Sequence, residues 1–113
     1  MSAATRTSAL EIGGARLVYQ TAGVGGAVPF VFQHGMGGDA SQPLSYVGDT
    51  PPTSVIALNG RGHGPSSDID PAAATFDAYA DDVVALADHL SLDRFIVGGI
   101  SLGAGTALNL AIR

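Results

Sequence analysis

Residues 29–33, 53–58 and 94–98 are short, almost uninterrupted apolar runs, and each stops at a cluster of glycines. Strands that show no polar alternation are covered on both faces, which is the condition of a parallel sheet with helices above and below it. The first run stops at His34-Gly35-Met36-Gly37-Gly38. The second stops at Asn59-Gly60-Arg61-Gly62-His63-Gly64-Pro65, and the third at Gly99-Ile100-Ser101-Leu102-Gly103. Between the second and third runs, Phe76, Tyr79, Ala80, Val83, Val84, Ala87 and Leu90 recur at three- and four-residue steps with aspartates opposite, which predicts a helix. Thr75 suits its N-cap, and Asp77 suits the positive end of its dipole. A shorter helix is expected over 42–47, ended by Pro51-Pro52. A helix apolar on all sides, and therefore buried, is expected over 104–113. Ahead of these, 9–12 and 15–20 are extended runs around Gly13-Gly14, the pattern of a hairpin with a primed turn, and 23–26 reads as a loop. The fold expected is α/β: an N-terminal antiparallel hairpin followed by three parallel strands alternating with helices, in one unit over residues 1–113.

Composition narrows the function. Hydrophobic residues make up 46% of the 113 and charged residues only 13%, so a packed core is expected rather than a disordered chain. The net charge is -5 with five Lys and Arg, which leaves no basic stripe to neutralise phosphates and argues against a nucleic-acid partner. Asp68, Asp70, Asp77, Asp81, Asp82, Asp88 and Asp93 read as a solvated face. There is no cysteine, which excludes disulfides and thiolate metal sites. The three histidines have no metal-ligand spacing, so neither a metal nor a cofactor is expected. No run approaches the roughly 18 to 20 apolar residues of a membrane span, and residues 1–11 carry no apolar stretch of the secretory kind. A cytoplasmic protein without a membrane span is therefore expected.

The third glycine cluster carries the chemistry. In Gly99-Ile100-Ser101-Leu102-Gly103 a buried strand turns directly into a helix with serine at the apex. A serine there sits on strained backbone that lifts its hydroxyl clear of the sheet, and glycines two residues to either side let strand and helix approach. The helix that follows aims its positive end at a developing oxyanion. Ser101 is thus the candidate nucleophile, against the alternative of a glycine-rich turn with no chemistry. Other glycine motifs fail on inspection. A dinucleotide fingerprint started at Gly98 meets Ile100, one started at Gly99 meets Ser101, and Gly103-Ala104-Gly105 leads to Leu108. A phosphate loop needs lysine after its second glycine, where Ala104 stands.

The three clusters in this order resemble the α/β-hydrolase superfamily, in its esterase, lipase and haloperoxidase-like group, over nearly the whole chain. His34 to Gly38 is similar to the family's oxyanion loop after its third strand. Asn59 to Ser66 is similar to its Asp-x-Arg-Gly-x-Gly-x-Ser loop, with Asn59 in place of the aspartate. Gly99 to Gly103 is similar to its nucleophile elbow, with Ile100 where histidine is often found. The resemblance implies Ser101 as nucleophile, the backbone N–H groups of Met36 and Leu102 as oxyanion hole, and a small-molecule acyl substrate (ester, thioester or lactone). A serine at the apex argues against the branches that use aspartate there, those of haloalkane dehalogenases and epoxide hydrolases. Arg61 is expected to be structural, hydrogen-bonding backbone carbonyls, and His34 to brace its loop rather than act as base. His63 and His89 are weaker candidates for that base.

In this family the acid and the histidine base follow the nucleophile in the chain. The expectation is therefore an N-terminal part of a longer enzyme, inactive and poorly soluble by itself, with the strand at 94–97 left as an unpaired edge. Two other readings stay open. One is a non-catalytic protein that keeps the shape as a receptor or scaffold. The other is a self-contained binding module that covers its last strand by symmetric pairing.

Overall fold

The computed structural model describes residues 5–23, 28–48, 51 and 53–112, so most of the loop expected at 23–26, together with Pro52 and Arg113, lies outside the described residues. Five strands form one sheet: β1 Arg6–Ile12, β2 Ala15–Ala22, β3 Phe30–Gln33, β4 Val55–Leu58 and β5 Ile96–Gly99. The helices are α1 Ser41–Val47, α2 Phe76–His89 and α3 Leu102–Ala111, with one 3-10 turn at Pro71–Ala73. The sheet order is β1-β2-β4-β3-β5. β1 and β2 pair antiparallel, with Ile12 opposite Ala15 across a turn whose Gly13 and Gly14 have φ +53° and +84°. Positive φ at both central positions is what a type I′ turn demands, which is why the chain places Gly-Gly there. β2 pairs β4 antiparallel, and β4, β3 and β5 run parallel, as expected.

β3 lies between β4 and β5, so the connection through α1 and the connection through α2 leave in opposite directions. Right-handed crossovers of that kind place their helices on opposite faces. α2 accordingly packs on α3, while α1 rests on β3 and β4. The strand order reverses at the carboxyl ends of β3 and β5, where open α/β sheets form their binding crevices.

Every residue of β4 is buried, because this strand has sheet on both sides and helices on both faces. Leu10, Leu17, Tyr19, Val31, Ile56 and Leu58 meet Val83 and Leu86 of α2 in the main core. Thr75 caps α2 by accepting the Ala78 N–H at 3.1 Å.

Four expectations need correction. Asp82 is not on a solvated face: it is 5% exposed, on the buried side of α2 with Val83 and Leu86. α3 starts at Leu102 and is not buried on all sides. Gly103, Thr106 and Ala107 face inward, while Leu108 and Ile112 are exposed. The cause is its place over β3 and the outermost strand, which covers one side only. The third correction, the partner of Arg61, belongs to the site described next. The fourth correction is the run at 94–98, expected to be covered on both faces: β5 pairs with β3 alone among the described strands, none of its residues is buried, and Ile96 is 56% exposed. Among the described residues no helix is long and apolar enough to cross a membrane.

Candidate active site

Ser101 stands between β5 and α3 with φ +55° and ψ -111°, and its side chain is exposed. The Gly103 N–H donates to the Ile100 carbonyl at 2.9 Å, which closes a four-residue turn around it. Those angles match the first central position of a type II′ turn, where glycine is the favoured residue. A serine held there stores roughly 1 to 3 kcal/mol of backbone strain. The glycines on either side are required by contact. A Cβ on Gly99 would lie 2.0 Å from the Gly103 carbonyl carbon, and one on Gly103 would lie 2.3 Å from the Gln33 carbonyl oxygen. Leu102 is the first residue of α3, so its N–H has no partner within the helix and points with the positive end of the dipole.

The turn after β3 lies against this apex. A Cβ built on Gly35 would come 3.4 Å from the Cβ of Ser101 and 3.2 Å from the Ile100 carbonyl oxygen. Gly38 N–H donates to the Gly35 carbonyl at 3.0 Å, and Gly37 has φ +79°, the left-handed value that the third residue of a type II turn requires. Met36 is the second residue of this turn, so its N–H is not used in the closing hydrogen bond, and its side chain is exposed. Gln42, in the first turn of α1, accepts the Gly35 N–H on Oε1 at 2.7 Å.

The loop after β4 locks onto the turn after β3 and onto α2. Asn59 is buried. Its Oδ1 accepts the Ala40 N–H at 2.8 Å and its Nδ2 donates to the Val18 carbonyl at 2.9 Å. An ionised aspartate could not make the second bond, which gives the amide at this position a physical reason. The expectation for Arg61 fails here: its guanidinium donates not to carbonyls but to both oxygens of Asp82, at 2.9 and 3.0 Å. Burial pushes the Asp82 carboxyl above the usual range, against the opposing pull of Arg61. The pair fixes the loop to α2 more than it stabilises the fold. Tyr79 donates its hydroxyl to the Arg61 carbonyl at 3.1 Å, completing the clamp.

His34 ties the two loops together, as expected of a brace. Its Nε2 accepts the Gly60 N–H at 2.9 Å, and its Nδ1 lies 2.7 Å from the Gly35 carbonyl, so Nδ1 carries the proton. Both ring nitrogens are occupied and none is left for Ser101. Burial lowers its pKa, and the His63 ring 4.8 Å away adds to this, against the raising influence of the Gly35 carbonyl and Asp39. Charging His34 would break the bond from Gly60. The unfolded chain takes up this proton below the ordinary value of 6.5, and the folded chain resists it. Stability is therefore complete above that value and declines as pH falls, until the folded His34 also protonates. Thermal midpoints between about pH 7.5 and about pH 5.5 are expected to fall more steeply in the parent than in His34→Gln, where this group no longer titrates. Identical slopes would contradict the brace.

A sequence profile of the α/β hydrolase fold matches residues 28–113. The chain belongs to the α/β-hydrolase fold family. Among curated relatives of this α/β hydrolase is the dihydrolipoyllysine-residue acetyltransferase component of the acetoin cleaving system of Pseudomonas putida. The two are 34% identical over 102 residues, which cover 89% of this chain and 27% of that protein. Among solved structures, Est816, described as an N-acyl homoserine lactone degrading enzyme, is similar at 32% identity and TM-score 0.78, over 93% of this chain and 40% of that one. A hydrolase from Pseudomonas aeruginosa PA01 is similar at 27% identity and TM-score 0.80, over 95% and 41%. An epoxide hydrolase from Acinetobacter nosocomialis, at 24% identity and TM-score 0.73, shares the fold. The α/β hydrolase chain spans 27% of that curated relative and 33–41% of these solved structures.

The structure sets the turn that holds Met36 against the apex formed by Ile100, Ser101 and Leu102. It adds two residues that the linear pattern did not mark, Gln42 and Asp82. Each works through a contact made only after the chain has folded back, so no spacing rule points to it.

Proposed function

We propose that this α/β hydrolase chain carries the nucleophile and oxyanion hole of a serine hydrolase acting on a carboxylic ester, thioester or lactone. Ser101 Oγ attacks the carbonyl carbon and its proton passes to a histidine base. The tetrahedral oxyanion is held by the N–H groups of Met36 and Leu102. Collapse expels the alcohol or thiol with that proton and leaves an acyl group on Ser101, which water then removes by the same steps. The observation that carries this reading is the positive φ of Ser101 at a strand-to-helix apex packed against a glycine turn; Ser91 has the same φ, but it follows the end of α2, where a left-handed residue is ordinary. The two relatives above 30% identity, named as a lactone-degrading enzyme and an acetyltransferase component, favour an acyl carbonyl as the target. None of the three histidines is assigned as the base: both nitrogens of His34 are engaged, His63 has its Nδ1 3.0 Å from the Arg61 carbonyl, and His89 ends α2 with its ring beside that of Tyr19 on β2. Because the chain spans only 27–41% of the relatives named above, base and acid are in this reading placed outside the 113 residues.

A fluorophosphonate probe tests this in the full-length protein. The serine oxygen bonds to phosphorus and fluoride leaves, so mass spectrometry is expected to find one phosphonyl group, on Ser101. Labelling elsewhere, or none, would refute the assignment.

A further inference from the structure

We propose that Gln42 is a positioning residue for the oxyanion hole, aiming the Met36 amide at the reacting centre through its grip on Gly35; this rests on the function proposed above. Gly35 is the residue before Met36, and it is buried against the elbow, with space for a Cβ only 3.4 Å from that of Ser101. Its N–H is the backbone donor next to that of Met36 in the chain. Gln42 removes it by accepting that N–H at 2.7 Å, near the short end of the N–H···O range. The same Oε1 would lie 2.9 Å from a Cβ on Gly38, the residue that closes the turn, so one carboxamide oxygen abuts both ends of the Met36 turn. The turn's own hydrogen bond, Gly38 N–H to the Gly35 carbonyl, leaves the amides of Met36 and Gly37 out of the turn closure, and Met36 is the one joined directly to the Gly35 that packs on the elbow.

Gln42 can do this because the start of α1 is itself fixed. Asn59 accepts the Ala40 N–H and donates to the Val18 carbonyl, which pins the helix start to β2 and to the end of β4. Asp39 accepts the Ser41 N–H at 2.9 Å and so orders the same turn. A rigid support behind a backbone donor matters because a displacement of about 1 Å at a reacting centre can cost about 100-fold in rate.

The test uses full-length protein and the covalent reaction of Ser101 with a fluorophosphonate, whose phosphoryl oxygen occupies the oxyanion position. Gln42→Met keeps the length of the side chain and removes the acceptor. Its maximal rate of Ser101 modification is expected to fall about 10- to 100-fold while the half-saturating probe concentration stays within about threefold. Gln42→Glu, which keeps an oxygen at the same reach, is expected to recover most of that loss. An unchanged rate in Gln42→Met, a change confined to half-saturation, or a Gln42→Glu no faster than Gln42→Met would each overturn the proposal. If Gln42→Met does not fold, Gln42→Asn withdraws the acceptor by one methylene and reads the same split, with an unchanged maximal rate again overturning it. Absence of labelling at Ser101 in the parent protein defeats the underlying function instead, so the two failures are told apart.

Discussion

Ser101→Ala and Ser101→Gly are both expected to lose turnover in the full-length protein, by about 10⁶-fold in kcat if Ser101 is the attacking group. They are expected to differ in stability. Alanine keeps a Cβ and so inherits the cost of φ +55° and ψ -111°. Glycine adopts those angles freely and releases the roughly 1 to 3 kcal/mol held there, less about 0.5 to 1 kcal/mol for the greater freedom it gives the unfolded chain. Ser101→Gly should therefore be about 1 kcal/mol more stable than Ser101→Ala in a urea titration. The contrast separates two statements that a single variant would merge: that the hydroxyl reacts, and that the backbone is strained to present it. Turnover above about 1% of the parent in either variant would contradict the first. Equal midpoints for the two would contradict the second.

Gly99→Ala and Gly103→Ala are expected to destabilise the protein by about 3 kcal/mol or more, through overpacking against atoms that cannot move aside. In the first, the new methyl falls 2.0–2.5 Å from the backbone of Gly103 and Ala104. In the second it falls 2.3–2.7 Å from the backbone of Gln33 and His34. Neither neighbour is the flexible end of a side chain, so relief requires α3 to pull away from β5 or β3. Gly37→Ala is the control. It has nothing within 4 Å and suffers only from φ +79°, so a loss of about 1 kcal/mol is expected there. Chemical denaturation of the three variants gives the ranking. A Gly99→Ala protein no less stable than Gly37→Ala would mean that the strand and helix do not meet as closely as described.

The main features of the fold were legible in the chain because they are set locally. Apolar runs of four to six residues that end in glycine carry the period of buried parallel strands, and β3, β4 and β5 lie on them. The Gly13-Gly14 pair has one inexpensive use, a primed turn, and that is its use. Thr75 caps because its hydroxyl reaches an N–H three residues away, a distance that needs no tertiary information. The candidate site was legible to the same depth. Ser101 stands out because its glycine neighbours at two residues to either side answer a clash that strand-to-helix geometry makes unavoidable.

What escaped a linear reading involves partners far apart in the chain. Asp82 occupies one position of a helix whose other aspartates are solvated, and nothing in its neighbours shows that Arg61, in a loop 21 residues earlier, will meet it with two hydrogen bonds. The exposed flank of α3 escaped for the same reason. Its apolar sequence states a capacity for burial, whereas the cover available is decided by its place over the edge strand. Gln42 is the local exception: its partner Gly35 is seven residues away, yet it reads as an ordinary residue of a short helix because no spacing rule says that α1 folds back onto the turn before it. By itself the sequence determined which segments are strands, turns and helices and where a strained serine would stand, because dihedral preference, capping and hydrophobic period act over a few residues. Only the tertiary structure decided that the Gly35 turn lies against that serine and that Arg61 meets Asp82, because those contacts join segments that the sheet order, not the chain order, makes neighbours.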